Sequence, residues 1–493
     1  MAEDFEPGAA EYPYNSITQI ALVFKTNILL VLGAAAWWGC HYSLLWNPYI
    51  ANAYALLDGF DVRFIVTLAG TVFAFGVLFF ITKRFPTWQV SSYRFSYGLY
   101  ALCTLASFCL MAIPLFFDIG HWVGLLGAMV SGIGNSVGML IYGELHARVE
   151  YRFEPLMFAA ELIGGIVLFL ICSVFSVLIT LVSAALLSIL AALLFYRFSK
   201  QDTEPVDLPP QTYVDMTSGQ LTTLALLMGF TYGLMRTFST GDTQTYLGLD
   251  SECLGSCLCA FLLIGVFISQ KKLTLFEQCL LFVLPLVATG MLLVTIPGAN
   301  TLVPTAINTI GFACFFNLIW YFAPVLASKE PNHTTTYLLT LLFLVCQFGQ
   351  LLGSLVPVQV SGLFSSGLMY ILLLALILFM LWYVRKSRQD NTREVEIQKS
   401  QEIYDDQITP VDLSYEETQE APGSVWEREL GFSQREADVA MLLIQRIPYK
   451  QISQELMVSE NTVKTHARNI YKKADVASRE ELIELYANLT KKV

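Results

Sequence analysis

Apolar stretches of about twenty residues follow one another from residue 28 to residue 384, and short polar segments separate them. A helix of that length can cross the hydrocarbon core of a bilayer. The pattern therefore predicts a polytopic bundle of about twelve membrane-spanning helices, although the fifth and sixth stretches nearly merge and leave the count open by a pair. The predicted spans are 28–49, 64–82, 96–117, 122–142, 157–175, 178–196, 221–240, 254–270, 276–296, 302–327, 335–356 and 363–384.

The polar, proline-containing segment 197–219 separates six spans from six. After the last span, residues 386–428 are acidic and have no sustained apolar period, which predicts a flexible linker reaching on the order of 35 Å. The predicted domains are a disordered tail 1–16, a first membrane half 17–200, a central loop 201–219, a second membrane half 220–385, the linker 386–428 and a C-terminal domain 429–493.

The apolar positions of the C-terminal domain follow helical spacing and predict four short helices. The third covers about 459–473, with Ser459 as its N-cap, one apolar face, and an opposite face that is polar and mostly cationic. The apolar face carries Val463, Ala467, Ile470 and Ala474. S-x-x-E capping boxes open the first helix at Ser433 and the last at Ser478. This set is typical of a helix-turn-helix domain, although the third helix alone also fits an ordinary amphipathic surface helix.

Short motifs follow one another in a fixed order between residues 425 and 490. They are Phe432-Ser433-Gln434-Arg435-Glu436, Lys450-Gln451-Ile452-Ser453, Thr462-Val463-Lys464-Thr465-His466 and Asn469-Ile470-Tyr471-Lys472-Lys473, followed by Val476 and Arg479. In order and spacing they resemble the LuxR-type helix-turn-helix family. The chain departs from the family pattern at three turn positions, which hold Arg446, Pro448 and Asp475.

The resemblance implies a role on DNA for particular residues. The third helix of the family reads bases, and the matching positions are Lys464, Thr465 and Arg468. Phosphate contacts are expected from Lys450, Asn461, Thr462 and Lys472. The final helix commonly pairs two domains on a dyad site, so the candidates for a homodimer contact are Leu482, Leu485 and Tyr486.

Composition separates the membrane part of the chain from the DNA-binding part. Of 493 residues, 55% are hydrophobic and only 14% are charged, which excludes an ordinary soluble protein. The net charge of −11 would disfavour nucleic acid if it were spread evenly, but the segment 446–473 is locally basic. Its cations are Arg446, Lys450, Lys464, Arg468, Lys472 and Lys473, against Glu455 and Glu460.

Basic residues in the loops predict the orientation, because they concentrate on the cytoplasmic side. With a cytoplasmic N-terminus, the inner side receives Lys83, Arg84, Arg94, Arg148, Arg152, Arg197, Lys200, Lys271, Lys272, Lys329, Arg385, Lys386 and Arg388, and the outer side Arg63 and Arg236. The first residues show no basic region of a signal peptide. We therefore expect a multi-pass protein of the bacterial inner membrane with both termini in the cytoplasm, where DNA is accessible.

Six spans, a polar loop and six further spans resemble the major facilitator superfamily. The resemblance implies two six-helix halves around a cavity lined by the first, fourth, seventh and tenth helices. The family's loop between the second and third helices carries an aspartate, whereas here Gly76, Lys83 and Arg84 remain without it. The expected fold is all-α: a major-facilitator-like bundle followed by a four-helix LuxR-type domain.

Polar and aromatic side chains inside the spans predict a ligand site, because such residues are costly in a bilayer. The candidates are Trp37, His41, Asn135, Glu161, Tyr232, Arg236 and Asn317. Stacking rings and an arginine that neutralises an acid predict a small aromatic or anionic ligand. The alternatives are interfacial anchoring for the tryptophans, interhelical hydrogen bonds for the amides, an Arg236–Asp242 pair, and either a structural or a switching role for Glu161.

Cofactors and catalysis are not expected. Cys253, Cys257 and Cys259 cluster near the start of the eighth span, and metal or redox sensing there is an alternative, but the chain has no C-x-x-C pair. The sequence also shows neither a phosphate-binding glycine loop nor a nucleophile elbow, so we do not expect an enzyme.

Three functions fit these patterns. The first is a one-component membrane regulator that senses a small molecule through its bundle and binds promoter DNA as a homodimer, with membrane lipid and RNA polymerase as further partners. The second is a transporter of a small metabolite that carries a regulatory DNA-binding domain. The third is a DNA tether in which the membrane helices serve only for localisation.

Overall fold

The structure is a computed structural model that describes most of the two membrane halves and most of the C-terminal domain. The described residues are 17–45, 62–117, 122–150, 153–201, 217–239, 251–269, 275–296, 302–329, 333–356, 367–379 except 369, residue 382, and 430–490 except 446, 448, 457, 459 and 477. The predicted tail 1–16, most of the central loop and the linker 386–428 therefore lie outside the described residues. The chain divides into two compact units, Met1–Trp382 and Tyr383–Val493.

The first unit is built from helices, and a helix lies in each of the twelve predicted spans. The helices are α1 Ile17–Thr26, α2 Ile28–Leu45, α3 Val62–Arg84, α4 Arg94–Phe116, α5 Trp122–His146, α6 Glu154–Ser173, α7 Val177–Ser199, α8 Ser218–Ser239, α9 Ser251–Ser269, α10 Leu275–Val294, α11 Leu302–Lys329, α12 Thr335–Ser354 and α13 Tyr370–Phe379. A short 3-10 turn, Val90–Ser92, lies between α3 and α4.

Length and composition alone identify seven of the described helices as long and apolar enough to cross a membrane, and an eighth if the bent pair α1–α2 is one span. Shorter apolar segments within α9, α10 and α13 add to these. The predicted first span begins at residue 28, where α2 begins, and the preceding helix α1 meets α2 at an angle of 69°. The structure is therefore a multi-pass membrane unit.

The two halves of this unit repeat one packing arrangement. Helix α2 packs on α6 as α8 packs on α12, α3 packs on α5 as α9 packs on α11, and α4 packs on α5 as α10 packs on α11. Each of these three contacts in the first half thus recurs six helices later, which is the internal repeat expected of two related halves. The halves meet mainly where α3 packs on α12 and where α6 packs on α9.

Helices α8 and α12 approach each other most closely, and glycines make this approach possible. Gly229 and Gly233 on α8 face Gly349 and Gly353 on α12, so that small residues recur every four positions on both helices. A Cβ at Gly233 would lie well inside contact distance of the Gln350 carbonyl oxygen. Small-xxx-small spacing allows close packing of membrane helices, whose association depends on van der Waals contact rather than on a hydrophobic driving force.

We predict that Gly233→Ala destabilises the membrane unit by about 1–3 kcal/mol, because the added methyl group meets backbone that cannot move without separating α8 from α12. The matched control is Gly76→Ala, since a Cβ at Gly76 has nothing within 4 Å. The measurement is the midpoint of thermal unfolding of the detergent-purified chain. Equal midpoints for the two variants would contradict the packing described here.

The second unit contains four short helices around a core of its own. They are α14 Gln434–Ile444, α15 Tyr449–Glu455, α16 Glu460–Lys473 and α17 Arg479–Thr490. Helix α16 packs on both α14 and α15, and α17 packs on α14. The core includes Leu443, Ile452, Val463, Ile470 and Leu482, each fully buried. This is the predicted helix-turn-helix arrangement.

The ends of these helices follow the predicted cap chemistry. Ser433 and Glu436 form the complete capping box of α14. At α17, the Glu481 amide donates to the Ser478 hydroxyl at 3.2 Å. Asp475, after α16, has a φ of +53°, the left-handed conformation for which the family pattern supplies glycine. The other two departures, Arg446 and Pro448, and the predicted N-cap Ser459 lie outside the described residues.

Candidate DNA-binding face and ligand cavity

Helix α16 separates into a buried face and an outer face. Val463, Ala467, Ile470 and Ala474 are all buried in the core of the second unit, which confirms the predicted apolar stripe. Because these residues fix the rotation of the helix, the polar residues between them point away from the core. A helix presenting Lys, Thr and Arg on its outer face has the donors that base edges and phosphates require.

The predicted DNA contacts lie on this outer face where their side chains are described. Thr465, Arg468 and Lys472 are exposed, and Thr462 and Lys464 are half-buried. The side chains of Lys450 and Asn461 lie outside the described part of the chain. The arrangement leaves three residues of the reading helix directly accessible to DNA.

Two basic residues of the motif serve the domain itself. The Lys473 ammonium donates to the Glu436 carboxylate at 2.7 Å and to the Gly431 carbonyl oxygen at 3.2 Å. Arg479 donates to the Ile447 carbonyl oxygen at 3.3 Å. Lys473 therefore ties the end of α16 to the start of α14, and Arg479 ties α17 to the segment before α15.

Glu436 lies at the centre of one of these contacts. Burial by itself raises the pKa of its carboxyl, but hydrogen bonds from Lys473 and from the Ser433 amide outweigh burial and hold that pKa below its usual range. The Ser433 amide donates to Glu436 Oε2 at 2.8 Å. The ionised carboxylate thus stabilises the folded domain.

The predicted dimer contacts require one correction. Leu482 is fully buried in the core of its own domain, because the apolar side of α17 packs on α14. It is therefore not available to a second copy. Leu485 and Tyr486 are half-buried, and the predicted pairing surface rests on these two residues.

We predict that Glu436→Gln lowers the free energy of unfolding of the 383–493 unit by about 1 kcal/mol at neutral pH. Because the folded-state pKa of Glu436 is depressed, its contribution is present above the unfolded-state pKa and is lost as pH falls through the folded-state value. Urea unfolding between about pH 7 and pH 3 should show the wild-type advantage shrinking as pH falls.

The control for this experiment is Asp438→Asn. Asp438 is half-buried, with 44% of its side chain exposed, and lies 4.0 Å from the exposed Arg435, an ion pair close to the surface that contributes little. A difference between wild type and Glu436→Gln that stays constant with pH would contradict the role given to the carboxylate.

The membrane unit contains a partly open cavity of about 90 Å³ between its two halves. Helices α2, α3, α5 and α6 of the first half and α8, α9, α11 and α12 of the second contribute to its walls. The lining residues are Trp38, His41, Tyr42, Phe64, Thr67, Leu68, Thr71, Asn135, Leu162, Tyr232, Ser256, Thr309, Phe312, Ala313, Phe316, Asn317, Gln347 and Gln350. Polar and aromatic side chains from both halves therefore converge at one place.

Four of the predicted ligand residues line this cavity: His41, Asn135, Tyr232 and Asn317. Trp37, Glu161 and Arg236 do not belong to the lining. The four helices predicted to line a cavity, α2, α5, α8 and α11, all contribute to its wall, but so do α3, α6, α9 and α12. Three of the predicted side chains make other contacts.

Trp37 and Trp38 are buried inside the bundle, which rules out the alternative that they anchor the chain at the membrane interface. Trp37 stacks on Tyr142, with ring centroids 5.3 Å apart. Trp38 meets Trp320 of the second half edge-on at 6.1 Å. The aromatic cluster of α2 is thus part of the contact between halves, and Trp37 lies behind the cavity wall.

Glu161 is fully buried and belongs to a cluster within the first half. The Tyr142 hydroxyl donates to one of its oxygens at 2.5 Å, and His146 Nε2 lies 3.2 Å from the other. The second imidazole nitrogen lies 3.9 Å from Glu154. Glu161 is therefore a structural partner of α5, which accounts for a carboxylate inside a span without a ligand.

Arg236 forms an ion pair with Glu252 of α9, while its guanidinium carbon lies 3.9 Å from the centre of the Phe64 ring. The first contact is within the second half, and the second reaches α3 of the first half. The predicted alternative partner, Asp242, lies outside the described residues. Because Glu252 neutralises Arg236, the geometry does not supply the cation expected for an anionic ligand.

Contacts between the halves at the other end of the bundle were not predicted. Glu144 on α5 accepts from the amides of Val90 at 2.9 Å and Ser91 at 2.7 Å, and from the Thr336 hydroxyl of α12 at 2.7 Å. The Trp320 indole donates to the Met139 carbonyl oxygen at 3.0 Å. A carboxylate next to the predicted end of the fourth span was the one sequence signal for this contact.

The α3–α4 loop, which has no aspartate of its own, is bound by a carboxylate from another helix. Glu144 binds that loop from α5 and joins it to α12 across the two halves. Among the residues that the structure describes, no group of three His, Cys, Asp or Glu could hold a metal ion.

The fold and the two sites define a multi-pass membrane protein that carries a helix-turn-helix DNA-binding domain. Residues 430–486 match the luxR family of bacterial regulatory proteins. Over 57 residues the chain is 44% identical to the HTH-type transcriptional regulator MalT of Vibrio campbellii and to that of Vibrio parahaemolyticus. This match covers 12% of the chain and only 6% of either relative.

The membrane unit is similar in fold to solved transporters. A bacterial homologue of the iron transporter ferroportin, in the outward-facing state, aligns with a TM-score of 0.54 and 11% identity, covering 74% of this chain and 99% of that one. The xylose transporter XylE from E. coli aligns with a TM-score of 0.50 and 14% identity, covering 74% and 98%. The chain therefore joins a segment that matches the luxR family of helix-turn-helix regulators to a membrane unit whose fold is similar to that of these solved transporters.

Proposed function

We propose that the protein is a membrane-embedded one-component transcriptional regulator and not an enzyme. A small molecule binds in the cavity between the two membrane halves, and the change in their arrangement alters how the LuxR-type domain binds promoter DNA. The observation that carries the proposal is the presence, on one polypeptide, of an outward Lys-Thr-Arg face on α16 and a polar, aromatic cavity lined by two repeated halves.

DNA binding by this domain rests on the chemistry of the α16 face. Thr465, Arg468 and Lys472 are exposed while the opposite side of the helix is buried, so the helix can enter the major groove without unfolding the domain. Leu485 and Tyr486 on α17 are the surface for a homodimer on a dyad site. RNA polymerase is the further partner through which a bound regulator would change transcription.

The orientation follows from charge. Lys83 and Arg84 lie at the end of α3, Arg94 begins α4, Arg148 lies between α5 and α6, and Lys200 follows α7. The positive-inside rule puts this side of the bundle, and both termini, in the bacterial cytoplasm. The DNA-binding domain would then face the chromosome from the inner membrane.

The sensing step has an energetic limit. A ligand shifts the two arrangements of the halves only by its difference in affinity for them. A tenfold difference, about 1.4 kcal/mol, would change the ratio of the two arrangements tenfold. The acidic and polar composition of residues 386–428 predicts a flexible linker. We therefore propose that control acts through pairing of DNA-binding domains, because a flexible linker does not transmit a movement of the membrane helices directly.

We predict that Lys464→Ala and Arg468→Ala each weaken binding to the target promoter by about 1–3 kcal/mol and relax base preference, because both positions lie on the base-reading face. Lys472→Ala is the contrasting variant. Because Lys472 is predicted to contact a phosphate, its loss should weaken binding to all DNA sequences alike and reduce the slope of log affinity against log salt concentration by about one. The measurement is a titration of promoter and scrambled duplexes at several salt concentrations. Unchanged promoter binding by the first two variants, or a sequence-selective loss in Lys472→Ala, would contradict these roles.

The whole proposal is tested by transcript profiling in cells grown with different small metabolites. We expect one operon to respond to one metabolite class when wild-type protein is present and to lose that response in the Lys464→Ala/Arg468→Ala double variant, whose membrane unit is unaltered. A response that is identical in both strains, or none in either, would rule out the proposed regulator.

A transporter with a regulatory domain is the second candidate, favoured by the cavity between the two halves of a fold similar to that of solved transporters. Flux of a solute into proteoliposomes that falls when a cavity residue such as Asn317 is replaced would support it. Saturable binding without flux would support the sensor.

A further inference from the structure

The cavity between the halves is lined by neutral polar groups and aromatic rings. Among its described lining residues there is no Asp, Glu, Lys or Arg. The nearest guanidinium, that of Arg236, is paired with Glu252 and covered by the Phe64 ring. A carboxylate or an ammonium group moved from water into this site would lose its hydration without gaining a counter-charge, which is strongly unfavourable.

Three polar side chains of the lining donate a proton to their own helices. Asn317 Nδ2 donates one of its two protons to the Ala313 carbonyl oxygen at 2.8 Å, and this bond fixes which end of the amide is Oδ1. The hydroxyl of Thr67 donates to the Arg63 carbonyl oxygen, and that of Thr71 to the Thr67 carbonyl oxygen, each at 2.9 Å. These three side chains therefore offer oxygen lone pairs, while the donors left in the lining include the second N–H of Asn317, the indole N–H of Trp38 and the hydroxyl of Thr309, of which the last two have no partner among the described residues.

Two amide oxygens of lining residues, on Asn317 and Gln347, are buried and have no hydrogen-bond partner among the described residues. Asn317 is 1% exposed and its Oδ1 is unpaired, and Gln347 is 6% exposed with an unpaired Oε1. They lie on α11 and α12, on the same cavity. A buried acceptor without a donor costs about 1–3 kcal/mol, so both oxygens are poised to accept from a bound molecule.

Aromatic rings form the rest of the wall. Tyr232 of α8 and Phe312 of α11 stack nearly parallel, with centroids 4.0 Å apart and planes 11° from each other. Phe316 lies one turn further along α11 and also lines the cavity. Flat rings presented side by side favour a planar ligand that can stack or meet their edges.

We infer that the cavity takes an uncharged, planar ring compound that donates hydrogen bonds through N–H or O–H groups to Asn317 and Gln347. This inference rests on the proposed sensing function and deepens it by naming the ligand class. It replaces the aromatic or anionic ligand expected from sequence, because Arg236 already has its anion within the protein.

Four single-ring probes separate charge from donor capacity. Benzamide is neutral and donates, N,N-dimethylbenzamide is neutral without a donor, benzoate is an anion, and benzylammonium is a cation. Binding to the full chain in nanodiscs, without DNA, is measured by calorimetry near neutral pH. We expect saturable binding of benzamide and at least about tenfold weaker binding of the other three probes. N,N-dimethylbenzamide would leave a buried acceptor unsatisfied, and the two ions would bring an unpaired charge into the cavity.

Variants place the binding at this cavity. Asn317→Leu should weaken benzamide about tenfold by removing the unpaired oxygen. Asn308→Leu is the matched control, because Asn308 is equally buried on the same helix but faces Gly290 of α10 and does not line the cavity. Benzamide binding by Asn308→Leu should equal that of wild type, and thermal unfolding confirms that both variants fold.

Several results would overturn the inference. These are benzoate or benzylammonium binding as tightly as benzamide, benzoate binding that is lost in Arg236→Gln, equal losses in Asn317→Leu and Asn308→Leu, or no saturable binding by any probe. A charged probe that binds in the cavity would contradict the ligand class while leaving the proposed sensor standing. Failure of the proposed function would appear separately, as loss of promoter recognition in experiments with DNA.

Discussion

Polar groups in a bilayer must find partners inside the protein, and this constraint governs the membrane unit. Glu144 binds two loop amides and Thr336, Glu161 binds Tyr142 and lies beside His146, and Arg236 pairs with Glu252. Each of these charges joins helices and is removed from the central space. The cavity is left with neutral amides, hydroxyls and rings, so its selectivity follows from where the charges are already satisfied.

Other contacts connect the two halves. Glu144 and Trp320 bridge α5 to α12 and α11, and Arg236 of α8 lies over the Phe64 ring of α3. A molecule that enters the cavity meets residues of both halves, including His41 and Asn317. Its binding energy can therefore favour one arrangement of the halves. In the proposed function, this change of arrangement alters DNA binding by the domain on the same chain.

The sequence predicted well which helices form and which side of a soluble helix is buried. It predicted poorly which side chains contact one another. The stripe from Val463 to Ala474 was predicted because α16 has one apolar side, and periodicity identifies such a side directly. The α2 tryptophans were ambiguous because a membrane helix is apolar all round, so that periodicity does not separate lipid from cavity. Glu252 was not recognised as the partner of Arg236, because the pair joins two helices across a loop. Leu482 was misassigned because one apolar face of α17 can serve either its own core or a second copy.

Promoter occupancy by the full chain carrying Thr336→Val tests the link between membrane unit and DNA most directly. This change removes the hydroxyl that donates to Glu144 across the halves and keeps the shape of the side chain. Thr340→Val is its control, because the Thr340 hydroxyl donates only within α12, to the Thr336 carbonyl oxygen. At equal amounts in the membrane, we expect Thr336→Val to change occupancy of the target promoter about fivefold or more, and Thr340→Val to leave it at the wild-type level. Equal occupancy by wild type and both variants would contradict control of the DNA-binding domain by the arrangement of the membrane halves.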